Sequence, residues 1–221
     1  MYKLVIFDLD GTLLDTLDDL WGSVNFALNE FGFPLRTKQE VRSFIGNGVV
    51  KLMERSTPDG TDEETNKQCL DVFRAHYLTH MRDNTAPYEG IMELLKKLRE
   101  DKIKTAVVSN KLHSAVVGLC DEYFHSLIDE AIGVSVESER KPSPINVFKA
   151  LEKLSVRENE AIYVGDSNVD VQTAKNAHLP CIGVTWGFRD RDCLVNEGAE
   201  FICDTAQEVY EIVVSSKGIS L

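Results

Sequence analysis

Asp8 and Asp10, in Phe7-Asp8-Leu9-Asp10-Gly11-Thr12, are the first residues of this 221-residue chain that could do chemistry. In an extended chain, residues two apart point to the same side, so both carboxylates can aim at one point. Like charges that close are costly unless a proton or a cation is shared. Two further acids stand in Val164-Gly165-Asp166-Ser167, followed by Asp170. Carboxylates converging on one point make a hard-oxygen site suited to Mg²⁺, which often bridges to a substrate phosphate. Each piece alone has a plainer reading. Asp10-Gly11 is also a turn signal, and Ser167 or Asp166 could simply cap the following helix.

Two other places carry polar groups of the kind that hold phosphate. In Val107-Val108-Ser109-Asn110-Lys111, a hydroxyl and backbone N–H groups at a strand-to-helix turn form a concavity for phosphate oxygens. In Arg140-Lys141-Pro142-Ser143-Pro144, proline keeps Lys141 extended at the start of a helix. Taken singly, the first is a pair of common helix caps and the second a solvated lysine.

The elements that must position these residues alternate along the chain. Leu4-Val5-Ile6-Phe7 is a continuous apolar run, as expected of a buried parallel strand. Similar runs recur at 103–109, 161–165, 181–184 and 200–203. Between them lie helical stripes: Ile91, Leu94, Leu95 and Leu98; Ile145, Phe148 and Leu151; Val209, Ile212 and Val213. This pattern predicts an α/β fold, a Rossmann-like parallel sheet with helices on both faces and ligands beyond the carboxyl ends of its strands. One stretch breaks the alternation. Residues 15–82 show only helical patterns, such as Leu17, Leu20, Val24, Leu28 and Phe31, and predict a small all-helical cap inserted after the first strand. The expected core is then 1–14 with 83–221.

Composition narrows the class of function. With 24 Lys+Arg against 36 Asp+Glu the formal charge is −12, which argues against a nucleic-acid partner. No apolar run approaches the length of a membrane span, and the first ten residues do not read as a signal peptide. Five cysteines, an odd number without a C-x-x-C pair, predict free thiols and a cytoplasmic protein. A monomer or homodimer acting on a small molecule is expected. The 15–82 segment holds 8 basic and 11 acidic residues, so it is no cationic clamp. Lys51 and Arg55, with Arg42, are its candidates for substrate selection; surface solvation is the plainer reading of each. His76 and His80 have metal-ligand spacing but lack the Glu of H-E-x-x-H, and read as exposed histidines.

Together, Asp8-Leu9-Asp10-Gly11-Thr12, the Ser109 turn, Lys141-Pro142 and Gly165-Asp166-Ser167 with Asp170 resemble the four motifs of the haloacid dehalogenase-like hydrolases, in that family's order. Phe44-Ile45-Gly46-Asn47-Gly48 and Thr185-Trp186-Gly187-Phe188 are similar to its phosphoglycolate-phosphatase-like branch. The resemblance implies a Mg²⁺-dependent phosphatase working through an aspartyl-phosphate on a small phosphorylated metabolite. Asp8 would be the nucleophile and Asp10 the general acid and base. Asp8, the backbone carbonyl of Asp10 and Asp166 would bind the metal. Ser109 and Lys141 would hold the phosphoryl group, with further contacts from Thr12 and Asn110, and Asp170 would orient Lys141 or a metal-bound water. Three alternatives remain open. A sugar phosphomutase of the family carries a cap histidine where Leu20 stands here, and a phosphonoacetaldehyde hydrolase, whose cap lysine Lys51 faintly resembles, lacks the acid found at Asp10. A non-catalytic protein that binds a phosphorylated ligand would have no need of the complete set.

Overall fold

The computed structural model describes residues 1–215. From the N-terminus the elements are β1 (Leu4–Phe7), β2 (Leu14–Asp15), α1 (Leu17–Glu30), α2 (Lys38–Phe44), α3 (Gly48–Ser56) and α4 (Glu63–His80). There follow β3 (Ala86–Pro87), α5 (Ile91–Glu100), β4 (Lys104–Leu112), α6 (His113–Tyr123), β5 (Glu130–Val134) and α7 (Ile145–Leu154). The chain continues through β6 (Ala161–Gly165), α8 (Asn168–Asn176), β7 (Cys181–Val184), α9 (Arg191–Glu197), β8 (Phe201–Cys203) and α10 (Ala206–Val214). It divides into two compact units, Met1–Leu13 with Pro87–Leu221, and Leu14–Ala86.

The larger unit is built on a six-stranded parallel sheet, ordered β5-β4-β1-β6-β7-β8. The α/β class read from the alternating runs is the one observed. Every residue of β1 is buried, which is why its run is apolar without alternation. Successive strands run outward to one side of β1 and then to the other, so the order of the sheet reverses there. A crevice beyond the carboxyl ends at such a switch point is where α/β sheets bind ligands. Register makes the ends level: Phe7 pairs with Val107 on one side and Val164 on the other. Asp8, the next residue, donates its N–H to the Val164 carbonyl at 2.9 Å.

Two features depart from the expected pattern. β5 left no signal, because Glu130-Ala131-Ile132-Gly133-Val134 has neither a continuous apolar run nor a turn at each end. In α7 the buried face is Asn146, Val147, Ala150 and Leu151, while Ile145 and Phe148 stand exposed, so the apolar stripe is rotated from the predicted one. All five cysteines are free. Burial holds the thiols of Cys120 and Cys203 up at about 12, which removes them as thiolate nucleophiles at neutral pH. Among the described residues no helix is long and apolar enough to cross a membrane.

The smaller unit is all-helical apart from its terminal strand residues. Leu20, Val24, Ala27 and Leu28 of α1 face inward, as do Leu70, Phe73 and Tyr77 of α4. Leu20, where the mutases would carry histidine, is therefore a core residue. Its ends are tied by a buried carboxylate. Asp19, in the first turn of α1, accepts from the Asn84 N–H and side-chain amide at 2.9 Å and from the Thr85 N–H and hydroxyl at 3.0 and 2.8 Å. Replacing it leaves buried donors unpaired, at a cost of about 3 kcal/mol. Asp19→Ala is accordingly expected to expose the Asn84 and Thr85 amides to hydrogen exchange and to lower the denaturation midpoint. Unchanged protection at both amides would refute the tie.

Candidate active site

Lys141 is where the polar motifs meet. Its ammonium, 4% exposed, lies 2.7 Å from Asp8 Oδ1, 2.7 Å from Asp170 Oδ1 and 3.4 Å from the Tyr163 hydroxyl. An ammonium has three protons, and these are three acceptors. The main chain of Lys141, in the turn before α7, is fixed from β4. Asn110, at the end of β4, accepts from the Lys141 N–H at 2.7 Å and donates to its carbonyl at 3.3 Å. The Lys141–Pro142 peptide is cis. Asn110 thus grips the lysine's backbone through its side-chain amide.

Asp166 is held just as closely. Its Oδ1 accepts from the Thr12 hydroxyl at 3.1 Å and its Oδ2 from the Phe188 N–H at 2.7 Å. Gly11 adopts φ 88°, and a Cβ there would lie 2.5 Å from Asp166 Oδ2; one on Gly187 would lie 2.3 Å from Asp166 Cβ. The Thr-Trp-Gly-Phe stretch therefore packs against this acid, and Trp186 Nε1 donates to the Thr12 carbonyl at 3.0 Å. Asp170 accepts from the Ser167 hydroxyl at 2.6 Å and N–H at 3.1 Å, closing a capping box at the start of α8. Ser167 is thus the cap that the plainer reading foresaw, but Asp170 also reaches Lys141. Ser109, buried, accepts from the Lys111 N–H at 3.2 Å through its hydroxyl oxygen, a bond that does not use the hydroxyl's own proton.

The electrostatics follow from burial. Asp8, Asp166 and Asp170 each offer an oxygen within 4.8 Å of the others. Burial, then the Asp170 charge, pushes Asp8 well above the usual carboxylate range, with Lys141 opposing. The same two causes lift Asp166 to about 7, against the pull of the Phe188 N–H and Thr12. Burial alone would lower Lys141, yet Asp170 and Asp8 more than offset it and hold its pKa above the ordinary lysine value. Three carboxylates against one ammonium leave an excess of negative charge. A hard divalent cation fits both that charge and an all-oxygen donor set.

Asp10 does not join this cluster. Its carboxylate takes Lys111, whose ammonium lies 2.9 and 3.1 Å from the two oxygens. Lys51 and Arg55 belong to the helical unit and have partners there: Lys51 pairs with Glu54 at 2.5 Å, and Arg55 donates to the Phe44 carbonyl and to Asn47 Oδ1. His76 and His80 stack on each other with ring centroids 3.9 Å apart.

A family model described as haloacid dehalogenase-like hydrolase matches residues 5–184. The chain belongs to the haloacid dehalogenase-like hydrolases. Relatives of this hydrolase are named phosphoglycolate phosphatase. One from Pseudomonas savastanoi pv. phaseolicola is 32% identical over 94% of this chain and 78% of its own length. One from Aquifex aeolicus is 34% identical over 84% and 86%. The crystal structure of a putative phosphoglycolate phosphatase from Lactobacillus delbrueckii subsp. bulgaricus superposes with a TM-score of 0.92 at 34% identity, covering 96% of this chain and 98% of that one. This hydrolase is accordingly a phosphoric monoester hydrolase.

Two functional neighbours were not assigned roles from sequence. Lys111 ends the Ser109 turn and Tyr163 lies within the apolar run at 161–165, positions that mark no role. Neither has a spacing signal, because each acts on a residue distant in sequence. The close packing around Asp166 carries a prediction. Misplacing a reacting group by about 1 Å can cost about 100-fold in rate, so Gly187→Ala should lower phosphatase turnover by about that factor while the circular dichroism spectrum is retained. Gly22→Ala, where a Cβ meets nothing within 4 Å, is the control that should keep full turnover. Equal activity of the two variants would refute the packing account.

Proposed function

We propose that this hydrolase cleaves phosphoglycolate, with Mg²⁺ as cofactor and an aspartyl-phosphate on Asp8 as intermediate. The observation that carries the chemistry is the buried Lys141 ammonium, 2.7 Å from both Asp8 and Asp170. The substrate rests on the relatives named phosphoglycolate phosphatase.

In this reading an oxygen of Asp8 attacks phosphorus as the bond to the ester oxygen breaks, and Asp10 delivers a proton to that oxygen. Water then attacks phosphorus, Asp10 takes a proton back, and the bond to Asp8 breaks to release inorganic phosphate. Lys141 opposes the burial that raises Asp8 and holds that carboxylate in place, and its positive charge offsets the charge of the phosphoryl group. Ser109, whose proton is not spent on Lys111, donates to one of them. Thr12 acts through Asp166 and Asn110 through Lys141, each as a brace. Asp8, Asp166 and the backbone carbonyl of Asp10 would hold Mg²⁺, and Asp170 orients Lys141. The bound ion supplies positive charge against the repulsion between a carboxylate and a phosphate dianion. The helical unit serves as the cap, where Lys51 and Arg55 contribute to selection through the turn that Arg55 braces. A cytoplasmic location accords with the free thiols.

Phosphate release should depend on added Mg²⁺ and cease with chelator, and phosphoglycolate should give the highest kcat/KM among phosphorylated metabolites. Asp8→Asn should abolish turnover. Lys141→Met should lower kcat by about 1,000-fold, because it strips the partner from buried carboxylates. Wild-type turnover in Asp8→Asn would defeat the nucleophile assignment. A simple alkyl phosphate cleaved as fast as phosphoglycolate would defeat the substrate.

A further inference from the structure

Lys111 is a second buried ammonium that the chemistry above leaves unused. It lies two residues beyond Ser109 on β4, and its side chain is 8% exposed. Lysines are almost never buried without a partner and a reason. Its ammonium grips Asp10 through both carboxylate oxygens, at 2.9 and 3.1 Å. Neutralising the acid cluster is not the reason, since the ammonium takes Asp10, which stands outside that cluster. Nor does Asp10 need the pair to tolerate burial, being the more exposed member at 17%.

The geometry points to Lys111 as the specificity-determining residue that binds an anionic group on the leaving side of the substrate, exchanging the carboxylate of Asp10 for that of the substrate. The inference rests on the reading that Asp10 serves the ester oxygen. In phosphoglycolate the carboxylate is attached to the carbon that bears that oxygen. A cation in contact with the acid that serves the oxygen is therefore also beside the substrate carboxylate. The exchange does two things. It replaces one ion pair by another, so the lysine is never left buried without a counter-charge. It also frees the Asp10 oxygens to face the ester oxygen they must protonate. An ester with a neutral leaving group offers no such exchange, and both Asp10 oxygens stay engaged by Lys111.

The test compares phosphoglycolate with ethyl phosphate, which has the same chain length and no carboxylate, on the Mg²⁺-loaded enzyme. In Lys111→Met the ratio of their kcat/KM values is expected to fall about 10- to 100-fold, the worth of one charge-assisted hydrogen bond. Part of that loss should lie in kcat for phosphoglycolate, because the exchange releases the acid. Lys111→Arg should restore most of the ratio, which a merely structural role would not explain. Residual cleavage of ethyl phosphate reports that the variant is folded, and Lys111→Gln replaces it should the methionine variant prove insoluble. A ratio unchanged in the neutral variants would overturn the inference. Failure of the phosphoglycolate reading looks different: wild type would prefer another ester with an anionic leaving group, and Lys111→Met must still erase that preference. Wild type without preference for any anionic leaving group would overturn the inference as well.

Discussion

A single ammonium decides how this site can be built. Lys141 is buried, and burial of a charge is tolerated only when its protons all find acceptors. Asp8, Asp170 and Tyr163 supply them, one from the end of β1, one from the first turn of α8 and one from within β6. Each is itself buried, so none could hold its own charge or hydroxyl there alone. The Tyr163 phenol, pushed up by burial, can also reach the Val108 carbonyl at 3.3 Å and so ties this group to β4. Groups from β1, β4, β6 and α8 therefore converge on one charge.

Asp166 is placed by a different means. It does not touch Lys141, and what fixes it is close packing with two donors from distant loops. Gly11 and Gly187 let backbone come within the space of a missing Cβ, and Thr12 and Phe188 each occupy one carboxylate oxygen. A carboxylate so constrained keeps its direction while its charge state stays open, as its lift to about 7 reflects. Rigid position with unsatisfied charge is what a cation-binding ligand requires before the cation arrives.

Much of this could be read from the chain alone, and the limits have physical causes. Continuous apolar runs marked β1, β4, β6 and β7, because a parallel strand buried on both faces has no polar side to show. Acids at the tips of β1 and β6 could be joined only by assuming that those strands are adjacent, which the alternation of elements licensed. β5 was silent, since an edge strand with Glu130 and Gly133 carries little apolar signal. The stripe of α7 misled because Ile145 and Phe148, though apolar, face outward. The resemblance implies phosphate contacts from Asn110 and Thr12, and the structure adds a bond from each that the chain did not disclose, to Lys141 and to Asp166. Those bonds are side-chain contacts spanning 31 and 154 residues, for which no local pattern exists.

The two lysines differ in a way that bears on division of labour. Lys141 is saturated by three acceptors whose own burial leaves them no other cation among those contacts, so moving it would strand several charges at once. Lys111 grips Asp10, the most exposed of the site's paired acids. Releasing Asp10 costs little if another anion takes its place, because one ion pair is exchanged for another. A site that must keep its nucleophile fixed yet recognise what it cleaves gains from exactly one exchangeable cation beside one locked cation. On the proposed reading the locked one sits at the nucleophile, where a shift of position would cost rate, and the exchangeable one at the acid, on the side from which the leaving group would depart.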